Sequence, residues 1–494
     1  MSIPTLRNYV HGEWVQPDTG SFLEVENPAT GEVLARCPLS GVPEVELAVN
    51  SAARAFPGWR DTPASRRVQP LFRLANALRE REEEIATLLT REMGKSLGDA
   101  QAELKRAFEN IETACGMPVL QMGDKLVGCA EGIDGEVLRL PIGVFAMSCP
   151  FNFPAMVPFW FLPYALATGN TFVLKPSEQV PMTMQRVAEL LHDCGLPPGV
   201  FNLVNGDRAV SEALIDHPLV AGFSVVGSSR TCAKVAELCA RQNKRHLAMG
   251  GAKNHLVVMP DARLDEVVRN MTTSCYGCAG QRCMAASAIV AVGNETYEAI
   301  CVRFLAQSRT VPVGNPLEPP WRDDPQAIGP VISARALAFI HEMIEKGVKE
   351  GATLALDGRE VSVPDRQGGY YIGPTVFTDV KPGMEIHRTE IFGPVVVILK
   401  AGSLDEAIRV INEHPYGNGA SIYTQNGYHA RRFKLLTQCG MIGVNVGIPA
   451  PVATLPFGGM KQSLWADHKA QGKAVIDFFT EAKVITERYW PEPG

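Results

Sequence analysis

The stretch SCYGCAGQRCM, residues 274–284, sets three thiols, Cys275, Cys278 and Cys283, within nine positions. Such spacing admits a metal cluster, a redox pair or one nucleophile with two bystanders. A structural zinc site wants four ligands, usually in two paired knuckles. This chain has a single Cys-x-x-Cys and no histidine close to it in sequence. Leu264, Val267, Val268, Met271 and Cys275 recur at helical spacing, so Cys275 reads as a packing residue. Gly277 and Gly280 then break the helix around Cys278, which argues against a redox pair on a helix. Cys283 is left on a short helix-to-strand loop. An inert thiol is the default there, but the adjacent Arg282 would favour the nucleophilic thiolate.

Other residues matter if they converge on that loop. Asn152 is an amide inside the apolar, proline-braced CPFNFP, either structural or a donor to an oxyanion. Lys175 and Glu178, in VLKPSEQ after a strand, read singly as surface charge, or as partners for ribose hydroxyls. Gly227 and Ser228 lie between a strand and a helix, where free backbone N–H groups can hold a phosphate. No G-x-G-x-x-G fingerprint is present. Glu390, in TEIFGPVVV, is a turn carboxylate just before a strand.

The elements that must position these residues follow from the pattern. At 494 residues, 46% hydrophobic and 20% charged with a net charge of −6, the chain reads as a soluble protein of roughly three domains. Nothing in it favours nucleic acid or an anionic membrane surface. Residues 42–115 carry helical periodicity almost throughout. From about 140, strands such as NTFVLKP, VFNLVNG, VAGFSVVG and NHLVVMP alternate with helices such as MTMQRVAELLHDCG, arguing a parallel α/β sheet with ligands beyond its carboxyl ends. A second α/β stretch begins near 260 and ends near GMIGVNVG; KAVIDFFTEAKVITERYW reads as a strand-rich tail. The apolar run 150–167 holds four prolines and suits a buried turn and helix better than a membrane span. Twelve scattered cysteines and no basic-then-apolar N-terminal segment suggest reduced thiols and a cytoplasmic location.

Taken in order, PFNFP, KPSE, VGSS, GQRC, EIFGPV and PFGGMKQS resemble the motifs of the aldehyde dehydrogenase superfamily over nearly the whole chain. The resemblance implies an α/β fold with two Rossmann-like parallel-sheet domains plus a small β oligomerisation arm. It places an NAD-binding domain at 1–116 and 139–250, a catalytic domain at 251–445, and the arm at 117–138 and 468–494, giving a dimer or tetramer. It implies that Cys283 attacks the aldehyde, with the Asn152 side chain and the Cys283 N–H stabilising the oxyanion. Lys175 and Glu178 would hold the adenosine ribose of NAD, Gly227 and Ser228 the pyrophosphate, and Glu390 with Phe392 the nicotinamide side. Glu178 would also repel a 2′-phosphate, favouring NAD over NADP.

One departure is informative. Hydrolytic members carry a water-activating glutamate in ELGGK, whereas the matching stretch here is HLAMGGAKNHLVVMPDA, with Met249 or Ala248 at that place and no acidic residue from Arg241 to Pro260. Slow water attack is the expectation. MGGAKNH, GQRCMA and PFNFPAMVPFW resemble the methylmalonate-semialdehyde dehydrogenase branch, which passes its acyl group to coenzyme A; MGGAKNH has one glycine more than the branch's usual MGAKNH. Arg282 and Arg106 match the arginines that hold the substrate carboxylate in that branch. The implied reaction is oxidation of malonate or methylmalonate semialdehyde through a Cys283 thioester, with transfer to coenzyme A and loss of CO2 giving acetyl- or propionyl-CoA. The alternative is a hydrolytic NAD(P)-dependent enzyme for another acid semialdehyde.

Overall fold

Strands buried on both faces read as continuous apolar runs, and Thr171–Lys175, with every residue buried, is such a run. In the computed structural model, which describes residues 3–363 and 368–492, it lies near the middle of an eight-stranded sheet. Residues 1, 2, 364–367, 493 and 494 of the expected segments lie outside the described residues. The sheet order is Glu13–Val15, Asn8–Val10, Phe201–Leu203, Thr171–Lys175, Val144–Ser148, Val220–Val226, Arg245–Met249, Leu464–Trp465. The five central strands are parallel, and antiparallel strands close both edges. Strand order reverses between Val144–Ser148 and Val220–Val226, so a crevice opens beyond their carboxyl ends. Asn152, Lys175, Gly227 and Ser228 all follow or end strands on that side.

The second sheet has seven strands in the order Thr353–Leu356, Thr375–Thr378, Val395–Ala401, Ala286–Val292, Asn254–Val258, Gly419–Tyr423, Met441–Val444. Only its first strand is antiparallel. NHLVVMP therefore belongs here and not to the first α/β run. Gly250 and Gly251 interrupt the chain between the two sheets, after Met249 ends the strand Arg245–Met249. That strand carries Arg245 and His246 at its start, which conceals it from a reading based on apolar runs.

A third sheet joins Lys125–Ala130, Ile133–Pro141 and Thr480–Arg488. The tail is not strand throughout. Gly472–Val475 and Ile476–Phe479 form helical turns that bury Val475, Ile476, Phe478 and Phe479, and the strand begins only at Thr480. The proline-rich run at 150–167 becomes the turn Pro158–Trp160 and the start of the buried helix Leu162–Thr168. Among the described residues no helix is long and apolar enough to cross a membrane.

Candidate active site

The helix Leu264–Tyr276 buries Val267, Val268, Met271 and Cys275 on one face, so Cys275 is a packing thiol. Cys278 and Ala279 then take left-handed backbone angles, φ 52° each, and Gly280 follows at φ 74°. A Cβ on Gly280 would lie 2.2 Å from the Gly393 carbonyl oxygen, so only glycine lets this loop approach the one carrying Glu390 and Phe392. Cys283 sits beyond, before the strand Ala286–Val292.

The backbone of this loop is tied at each step. Gln281 Nε2 donates to the Cys278 carbonyl at 3.2 Å, and its Oε1 accepts the Ile332 N–H at 2.9 Å. Asn254 Nδ2 and Asn418 Nδ2 donate to the Cys283 carbonyl at 2.9 and 3.0 Å. Asn152, 4% exposed, donates from Nδ2 to the Gln281 carbonyl at 3.0 Å. The two expected members of the oxyanion site thus meet on one loop, although in this structure the amide is engaged with the backbone two residues before Cys283.

The loop carrying Asn152 has its own support. Lys95 and Glu103 form an ion pair whose side chains are 0% exposed. Lys95 Nζ also donates to the Asn152 carbonyl at 2.6 Å and lies 4.1 Å from the Phe153 ring centroid. Glu103 Oε1 accepts the N–H groups of Ala155 and Met156 at 2.8 and 2.9 Å. A buried charge persists where it is paired and its remaining lone pairs are satisfied, and this pair meets both conditions.

Arg282, Asn254, Ala252, Glu390 and Phe392 line one small cavity. Desolvation pushes the Cys283 thiol up to about 12; the charge of Glu390 adds to this, while the N–H groups of Cys283 and Met284 and the Arg282 cation oppose it. Desolvation likewise pushes the Glu390 carboxyl up to about 7, against the Ala252 N–H bonded to its Oε1 at 3.0 Å and the nearby Lys253. Lys253, itself lowered to about 7 by burial, donates to the carbonyls of Ile386 and Thr389 and so braces the Glu390 loop. Phe392, at φ 59°, packs edge-on to Phe151.

The two expected carboxylate-binding arginines are both paired. Arg282 bonds Asp99 and, through Nε, the Cys278 sulfur at 3.3 Å; Arg106 bonds Glu109 at 2.7 Å on its own helix. On the other side of the crevice, Lys175 bonds Glu178 at 2.7 Å. Ser228 caps the helix Ser229–Arg241, accepting the Thr231 N–H at 3.3 Å. A Cβ on Gly227 would meet nothing within 4 Å, so the strand end beside that cap is open. A half-buried Lys–Glu pair for ribose hydroxyls and an open helix N-terminus for a pyrophosphate fit a dinucleotide.

Lys95, Asp99, Glu103, Lys253, Asn254 and Asn418 were not legible as site residues. For two of them a signal existed: positions 99, 103, 106 and 110 place Asp, Glu, Arg and Asn on one stripe of the helix Leu97–Cys115. Among the described residues no three or more His, Cys, Asp or Glu side chains are arranged to hold a metal ion.

Residues 14–485 match the aldehyde dehydrogenase family. A malonate-semialdehyde dehydrogenase of Geobacillus kaustophilus (strain HTA426) is 44% identical over 98% of both chains. One from Halalkalibacterium halodurans is likewise 44% identical, over 98% of each. The crystal structure of a methylmalonate-semialdehyde dehydrogenase from Oceanimonas doudoroffii superposes with a TM-score of 0.96 at 38% identity, covering 99% of both chains. A Sinorhizobium meliloti 1021 protein complexed with NAD, and proposed to be a methylmalonate-semialdehyde dehydrogenase, gives 0.96 at 39% identity, covering 100% of this chain and 99% of that one. With these full-length likenesses, the chain belongs to the aldehyde dehydrogenase family.

Proposed function

We propose that the protein oxidises a short carboxylated semialdehyde, malonate or methylmalonate semialdehyde first, with NAD as oxidant and coenzyme A as acyl acceptor. The observation that carries this reading is the pairing of a thiol, Cys283, with an adjacent cavity-lining arginine, Arg282, and the absence of any acidic residue from Arg241 to Pro260. The names of the relatives point the same way.

In this mechanism the Cys283 thiolate adds to the aldehyde carbon, and Asn152 Nδ2 with the Cys283 N–H stabilises the resulting oxyanion. Arg282, with Arg106 from the helix Leu97–Cys115, holds the distal carboxylate so that the carbonyl faces the sulfur. Lys175, Glu178, Gly227 and Ser228 would hold NAD, with Glu390 and Phe392 beside its nicotinamide, which accepts the hydride when bound. Where the hydrolytic glutamate would stand, the chain has Met249, 3% exposed, or Ala248, fully buried. Neither can activate water, so a thiol nucleophile releases the product. Loss of CO2 from a β-carboxylated acyl group would give acetyl- or propionyl-CoA.

A second reading has one observation in its favour. Glu390 bonds the Ala252 N–H, three residues beyond Met249, and its pKa of about 7 suits a general base. A hydrolytic enzyme on another acid semialdehyde, using NAD or NADP, could use it. NADH formation with and without coenzyme A separates the two. A burst of about one NADH per site that becomes sustained only with coenzyme A supports acyl transfer; sustained turnover without it supports hydrolysis.

We infer, too, that the coenzyme domain comprises 1–116 and 139–250, the catalytic domain 251–445, and that the third sheet is an oligomerisation arm giving a dimer or tetramer. The arm exposes Leu126, Val127, Val484 and Trp490, apolar side chains that a second copy would cover.

A further inference from the structure

The helix Leu97–Cys115 serves both walls of the site from one stripe. Four residues after Asp99, Glu103 fixes the loop of Asn152; three further on lies Arg106. Asp99 itself closes a three-residue ring. Its Oδ2 accepts the Cys278 N–H at 2.9 Å, its Oδ1 accepts from Arg282 Nη2, and Arg282 Nε returns to the Cys278 sulfur at 3.3 Å. Two edges of the guanidinium are thereby used. Among the described residues no acceptor bonds Arg282 Nη1, and Arg282 lines the cavity shared with Asn254 and Glu390. The ring also holds Cys278 in the left-handed conformation from which the chain reaches Gln281 and Cys283.

We infer that Asp99 is a positioning residue that sets aldehyde specificity: it holds the Nη2 edge of Arg282 and, by binding the Cys278 N–H, sets the sulfur that takes the Nε edge, which leaves the third edge to a substrate carboxylate and fixes that arginine's register with Cys283. The inference rests on the carboxylated-semialdehyde reading above. A carboxylate bound at Nη1 alone makes a single charge-assisted hydrogen bond, and a second donor, the role proposed above for Arg106, would complete its recognition. Burial alone would raise the Asp99 carboxyl, yet Arg282 and the Cys278 N–H more than offset it and hold it below the usual range, so the ring stays ionised at neutral pH.

The test compares Asp99→Asn, Asp99→Glu, Arg282→Leu and the Asp99→Asn/Arg282→Leu double variant of the full chain. Each is assayed for kcat and KM on malonate semialdehyde and on propanal, with NAD and coenzyme A. Asp99→Asn should lose about tenfold in kcat/KM on malonate semialdehyde, mostly through KM, with propanal within about threefold. Asp99→Glu should recover part of it, and the double variant should be no worse than Arg282→Leu, because the two residues act as one unit. Equal losses on both aldehydes, no loss on either, or additive losses in the double variant overturn the inference. Discrimination by Arg282→Leu but not by Asp99→Asn sinks the role of Asp99 alone. No discrimination by Arg282→Leu sinks the carboxylate reading and the inference with it. Should Asp99→Asn fail to fold, Cys278→Ser, which keeps the backbone bond but changes the acceptor of Nε, should show a smaller loss confined to the carboxylated aldehyde; a loss on both, or none, again overturns it.

Discussion

The loop from Cys278 to Cys283 and the open end of the strand Val220–Val226 lie in the same protein but are built in opposite ways. From Cys278 to Cys283, backbone groups and the Gln281 side chain are bonded to partners from five separate stretches of chain: Asp99, Asn152, Ile332, Asn254 and Asn418. Gly227 and Ser228 have less of this; the Gly227 N–H donates to the Met249 carbonyl at 3.0 Å while its Cα side is open, and Ser228 is bonded to the first turn of its own helix. The difference suits the tasks proposed for the two regions. A bond-forming sulfur loses rate with small displacements, whereas a diffusing cofactor needs an accessible cradle whose affinity is spread over many weak contacts.

Substitutions can break this contrast at graded strength. Cys283→Ser should abolish NADH formation, by about 10⁴-fold or more, since no other residue can carry the acyl group; residual turnover above that level would remove Cys283 from its role. Breaking the buried pair with Glu103→Gln or Lys95→Met should cost about 3–5 kcal/mol, read from the denaturant midpoint. An unchanged midpoint would show that the Asn152 loop does not depend on it. Asn152→Ala should lower kcat by about 10²–10³ while the protein stays folded by circular dichroism.

The pH response sharpens the comparison. With the Cys283 thiol pushed up to about 12, its alkylation by iodoacetamide in the free protein should climb steadily from pH 7 to 10 without a plateau. Glu390 raises that value only when charged, so Glu390→Gln should accelerate alkylation by up to about tenfold above pH 7 and little below it, where the carboxyl is already protonated. Parallel profiles at all pH values would place Glu390 away from the sulfur. At the small end, Ser228→Ala should cost about 1 kcal/mol from the helix cap, with a weaker NAD affinity and an unchanged alkylation rate.

What the sequence disclosed follows from the range over which each signal acts. The helix ending at Tyr276, the glycine break and the strand from Ala286 are local, so the setting of Cys283 was legible. So were Lys175 and Ser228, each at an element boundary. Asp99 reaches Arg282 across 183 positions and Glu103 reaches Ala155 across 52, and a single sequence contains no trace of such pairings beyond the polar stripe on their shared helix. The strand Arg245–Met249 escaped notice because its burial comes from neighbouring strands, not from apolar alternation of its own.

The third sheet also constrains the order in which the polypeptide matures. Its strand Ile133–Pro141 finds its partner in Thr480–Arg488, and the first sheet receives its last edge only from Leu464–Trp465. During synthesis, both edges stay unpaired until most of the chain has left the ribosome, and exposed edges invite pairing with other chains. Nascent protein should therefore be most prone to aggregation just before residues 464–488 emerge.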